Sequence, residues 1–136
     1  MTDKKYIEII KDYLGPKYFT IFPKKFGRGY DRYKKKLILN KINNKNIDTK
    51  KRYIDERIIE IPWVFNELKK LKGNLLDAGS TLNYEYLIKR LNNLKFYIVT
   101  LYPEKNNFNH LGVNYIYEDL VDLSFKKSFF DVATCI

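Results

Sequence analysis

The stretch Leu75-Leu76-Asp77-Ala78-Gly79-Ser80-Thr81-Leu82-Asn83 constrains this chain more than any other. An apolar run of strand length ends there in an acid, a small residue and a glycine, and two hydroxyl residues able to cap a helix follow. That order predicts a strand, a tight turn and the start of a helix. Gly79 carries no side chain to keep a ligand from the backbone, and amides at such a turn point outward. Asp77, at the carboxyl end of the strand, is expected to face the crevice in which open α/β sheets bind ligands.

The residues that follow repeat the alternation. Leu82, Tyr86, Leu87, Leu91 and Leu94 make a helical stripe that Asn92 and Asn93 close, and Phe96-Tyr97-Ile98-Val99-Thr100-Leu101 is a β-branched and aromatic run. A loop over residues 103–112 leads to a third strand over 113–117 and an acidic turn, Glu118-Asp119-Leu120-Val121-Asp122-Leu123. Residues 129–136 have the apolar character of a strand buried in a parallel sheet, and there Cys135 reads as packing. Asp131 belongs to the start of that strand, far from the crevice, and His110 to an exposed loop. Strands alternating with crossovers predict a doubly wound α/β domain.

Ahead of the central turn the chain is helical and basic. Ile7, Ile10 and Leu14 form one stripe over residues 4–14, stopped by Gly15-Pro16. Residues 17–30 mix aromatics with Pro23, Lys24, Lys25 and Arg28 around Gly27 and Gly29, and read as an ordered loop. Tyr33, Leu37, Ile38 and Ile42 predict a second helix over 30–42, and residues 40–51 a polar connector. After Ile54, Ile58, Ile59 and Ile61, Pro62 suits the first turn of a new helix running through Leu68 and Leu71, with Trp63 in the core.

Of the net charge of +10, residues 1–72 hold 20 basic against 9 acidic groups, whereas residues 73–136 hold 6 against 7. The basic character therefore belongs to the leading half, where it sits among abundant Asn, Ile and Tyr, the residue set that an AT-rich genome favours, and part of it is read as coding bias. Cationic residues interleaved with aromatics also suit single-stranded nucleic acid. Cys135 is the only cysteine, so no internal disulfide forms and no metal site is built around it; a reducing compartment fits. No apolar run reaches the length of a membrane span, and a soluble cytoplasmic protein is the default expectation.

From Arg57 onward the order of motifs resembles the first half of class I S-adenosylmethionine-dependent methyltransferases: a Pro-Trp lead-in helix, Leu-Leu-Asp-Ala-Gly-Ser, a second strand ending near Leu101, Glu118-Asp119-Leu120 after the third, and Phe130-Asp131-Val132 opening the fourth. The resemblance implies a Rossmann-like sheet truncated after its fourth strand, which lies beside the first, over residues 57–136, preceded by a mostly helical basic segment over 1–56. It also implies that S-adenosylmethionine is held by Asp77, Gly79 and Ser80 at its methionyl end, with Leu101 at the end of the second strand. Asp119 and the Leu120 amide would meet the adenine. In the family an acid at the end of the second strand meets the ribose; here Thr100, Leu101 and Tyr102 stand there, with Glu104 beyond. The acceptor is not written in these motifs; because the charge is diffuse and shared with coding composition, a small molecule or a glycan is the expectation. RNA is the alternative acceptor, through the basic leading segment, and a noncatalytic nucleic-acid-binding module is the alternative from another class. The sequence singles out no catalytic acid or base.

Overall fold

A computed structural model describes residues 23–45 and 56–136, with the side chains of 32–45 and 56–136. The helix expected over 4–14, loop residues 17–22 and connector residues 46–51 lie outside them. The chain divides into two compact units, Met1–Trp63 and Val64–Ile136.

In the first unit, helix α1 spans Pro23–Ile42. Residues 23–30 are thus helical, which corrects the loop expected there. Pro23 brings the preset φ of a first helical turn, and Gly27 and Gly29 each weaken a helix by only about 1 kcal/mol relative to Ala. That is too little to stop an element whose Leu37, Ile38 and Ile42 are buried. Helix α2, Arg57–Leu68, crosses the boundary between the units and continues through Pro62 instead of starting there. Proline inside a helix removes a backbone hydrogen bond at a cost of about 3 kcal/mol or more. The buried stripe Ile58, Ile61, Phe65 and Leu68 runs through the proline at helical spacing and offsets that loss. The same phase sends Trp63 to the other side, where it is 66% exposed, so its expected place in the core is corrected.

The second unit is α/β, built on a four-stranded, all-parallel sheet in the order β3-β2-β1-β4. Its strands are β1, Gly73–Ala78; β2, Leu94–Val99; β3, Asn114–Ile116; and β4, Val132–Thr134. Asp77 lies level with Ile98 on one side and Thr134 on the other. Leu75, Leu82, Leu87, Ile98 and Val99 are fully buried and form the centre of the core. Of the helix expected between β1 and β2, only residues Glu85–Ile88 are helical, as α3. Leu82, Tyr86, Leu87, Leu91 and Leu94 are all buried as their spacing requires, but the chain before Glu85 is held in a turn by side chains described below.

The crossover from β3 to β4 has no helix among its residues, and aromatic rings cover the sheet in its place. Tyr97 of β2 meets Phe125, Phe129 and Phe130 edge-on, with centroids 5.2–5.8 Å away. At the amino end of the sheet Asp131 fastens β4 to β1. Its carboxylate accepts the Asn74 amide at 2.7 Å while its own amide donates to the Asn74 carbonyl at 2.9 Å. Cys135 is exposed, which corrects its expected burial.

Gly73 sits beside this lock with φ +110°, and a methyl group there would overlap the Asp131 carboxylate. Gly112 has φ +82° and open space around it. Gly73→Ala is therefore expected to lower the stability of the unit by about 2–4 kcal/mol, and Gly112→Ala by about 1–2 kcal/mol, in urea unfolding. Equal losses would show that the contact with Asp131 is irrelevant.

Candidate functional site

A cavity of about 290 Å³ opens at the carboxyl ends of the strands. Gly79 contributes from the turn after β1, Val99, Thr100, Leu101 and Tyr102 from the end of β2, and Glu118, Asp119 and Leu120 from the segment after β3. The lining is mainly apolar, and Leu101, Tyr102 and Leu120 remain exposed around it. Large apolar groups left open beside a concave site are the usual mark of a ligand pocket. Four of the residues singled out from the sequence thus meet here: Gly79, Leu101, Asp119 and Leu120. Asp77 and Ser80 are not in the lining.

Asp77 is turned inward and completely buried, which corrects the expectation that it faces the crevice. Its Oδ2 accepts the Leu82 amide at 2.8 Å and its Oδ1 the Thr81 amide at 3.2 Å. The Thr134 hydroxyl of β4 lies 3.4 Å from Oδ1. The carboxylate therefore shapes the turn that walls the cavity, and it is these bonds that keep residues 81 and 82 out of a helix. Burial pushes its pKa from 3.8 up to about 6, against the pull of the Leu82 and Thr81 amides and the Thr134 hydroxyl, with the charge of Glu104 adding to the rise.

Gly79 and Ser80 turn through left-handed conformations, φ +93° and +62°. A Cβ on Gly79 would meet nothing within 4 Å, so the position needs glycine for its dihedral and not for clearance. The Gly79 amide donates to the Val99 carbonyl at 2.9 Å and ties the turn to β2 instead of pointing outward. Ser80 does not cap a helix. Its Oγ is buried without a hydrogen-bond partner among the described residues, and α3 begins after Tyr84 with no side-chain cap.

Asn83, which sequence reasoning passed over, ties the chain after the turn to the loop after β2 and to β3. It is buried; its Nδ2 donates to the Asn106 carbonyl at 3.0 Å and to Glu104 at 3.3 Å, and its Oδ1 accepts the Tyr115 hydroxyl at 2.8 Å. Tyr115 in turn accepts the Phe108 amide at 2.9 Å. Glu104 thus belongs to this network and is absent from the cavity lining. No local pattern marks an Asn whose partners lie 21 to 32 residues away.

After β3, both oxygens of Glu118 are taken by Ser124, at 2.6 Å from its hydroxyl and 3.0 Å from its amide, and these bonds hold the carboxyl below its usual range. Asp119 uses Oδ1 to accept the Val121 amide at 2.9 Å. Its Oδ2 accepts nothing from the described residues and is the free carboxylate oxygen of the lining residues. His110 is exposed. Among the described residues no group of three or more His, Cys, Asp or Glu is placed to hold a metal ion, and no helix is long and apolar enough to cross a membrane. Compared with protein-family models, curated proteins and solved structures, the chain matches none.

The raised pKa of Asp77 sets a pH dependence. A proton held more tightly in the folded than in the unfolded chain adds stability that is complete below pH 4 and is lost as pH rises through about 6. The loss is on the order of 3 kcal/mol between those limits. In urea unfolding, stability should fall more steeply between pH 4 and pH 7 in the natural chain than in Asp77→Asn. Parallel profiles would show that Asp77 titrates as an ordinary carboxyl group.

Proposed function

We propose that the α/β unit binds the nucleoside end of S-adenosylmethionine in the cavity at the carboxyl ends of β1, β2 and β3, in the service of methyl transfer to a small-molecule or glycan acceptor. The observation that carries this reading is the meeting of Gly79, Leu101, Asp119 and Leu120 around one apolar cavity in a parallel sheet of order β3-β2-β1-β4. The volume lies at the lower edge of the roughly 300–1,000 Å³ typical of ligand pockets, so it is assigned to the nucleoside end and not to the whole cofactor.

The chemistry of the lining supports the assignment. Leu101 and Leu120 offer apolar surface to the faces of a planar base, and the free Oδ2 of Asp119 is an acceptor for an exocyclic amino group. Asp77 acts on this site through the turn, by fixing residues 79–82, and not by touching the ligand. Bound there, the cofactor would supply a methyl group already activated on a sulfonium. The protein's part is then to hold that group in line with a nucleophile and exclude water, which calls for no acid-base pair.

Calorimetric titration of S-adenosylmethionine into the chain tests the proposal. Saturable binding is expected, weakened about 10- to 100-fold by Asp119→Ala, since a hydrogen bond to a charged group contributes about 1.5–3 kcal/mol. Asp122→Ala, in the same turn but outside the lining, should bind as the natural chain does. Absence of binding, or equal affinity in Asp119→Ala, would overturn the assignment.

A further inference from the structure

Helix α1 carries eight basic residues and a single acid, Asp31, within Pro23–Ile42. At about 100° per residue, Lys24, Lys25, Arg28, Arg32, Lys35 and Lys36 fall within one arc of about 120°, and Asp31 falls outside it. Those six positions extend along roughly 18 Å of helix at 1.5 Å per residue. Coding bias can enrich a chain in lysine, but it has no means of choosing a helical phase. Arg32, Lys35 and Lys36, the members of the arc whose side chains are described, are all exposed.

We propose that this face of α1 is a docking surface for the phosphate backbone of a nucleic acid. Charge complementarity fixes the chemistry of the partner: a linear row of cations meets a linear row of phosphodiesters, with affinity gained by release of counterions. An anionic membrane is the rival polyanion. Helices that lie on membranes sink an apolar face into the lipid, and here Leu37, Ile38 and Ile42 are already buried in the protein; Ile42, at the phase of Lys24, ends the cationic arc at its carboxyl end, and the exposed members of the arc, Arg32, Lys35 and Lys36, are all cations. Contacts to the backbone carry no sequence information, so binding is indifferent to base order. The inference is independent of the cofactor reading.

The test is fluorescence anisotropy with labelled 20-nucleotide RNA and DNA of mixed sequence and the full chain, across a series of sodium chloride concentrations. With six phosphates engaged, the logarithm of the affinity should fall with the logarithm of salt at a slope of about −4 to −5. The combined variant Arg32→Glu, Lys35→Glu, Lys36→Glu should bind at least tenfold more weakly, with the slope reduced in magnitude by about 2–3. The corresponding Gln variant, which adds no repulsion within the helix, should show the same reduction in slope. RNA and DNA bound alike identifies the phosphodiester as the ligand, and preference for one identifies the source. Absence of binding, unchanged affinity in both variants, or tighter binding to phosphatidylserine vesicles than to either nucleic acid overturns the proposal.

Discussion

The α/β unit depends on a carboxylate that is buried where a ligand was expected to reach it. Asp77 stands at the end of the central strand of the sheet with β4 on one side and β2 on the other, and satisfies two amides of the chain that leaves it. Burying an ionisable group is unfavourable unless its hydrogen bonds are made, so the turn must keep these contacts in order to keep the acid inside. The two left-handed residues that follow are the geometric consequence. With the turn fixed, Gly79 comes against Val99, and the cavity acquires one of its walls.

That dependence explains where the sequence was legible. Apolar runs announced the four strands, but only the inner pair, β1 and β2, is buried as a parallel sheet requires; the buried strand expected over 129–136 is reduced to Val132–Thr134 at the sheet edge, with Ala133 exposed. The position of β4 beside β1 followed from the family resemblance and is found in the sheet. Legibility failed wherever one side chain reached far along the chain. Leu82 looked like the start of a helix because its hydrophobic spacing was helical, yet its amide belongs to Asp77. Asn83 drew no notice at the end of the central stretch, yet it joins three separate segments. Trp63 failed for a different reason. It was judged by its apolar neighbours and not by helical phase, and phase places it outside.

In the candidate site the residues legible in advance are those whose backbone lies at a strand end. Gly79, Leu101, Asp119 and Leu120 needed only the strand boundaries to be located within a residue or two. The direction of a side chain at such an end is a finer matter. Asp77 and Asp119 are both acids just beyond an apolar run, and nothing local distinguishes the one that turns in from the one that stays out. Their partners decide it: two amides and a neighbouring strand enclose the first, and a single amide in an exposed turn leaves the second with an oxygen to spare.

The crossover that carries aromatic rings in place of a helix bears on how the sheet comes together. β1 and β2 are separated by about one short connection and can pair early, whereas β4 pairs with β1 only after a loop of more than fifty residues has closed. No helix forms between β3 and β4 to shorten that search; Phe125, Phe129 and Phe130 pack on one another, and Tyr97 is what places them on the sheet. By loop length β4 is expected to join last and to leave first. Weakening its lock at Asp131 should quicken unfolding and leave the rate of folding nearly unchanged.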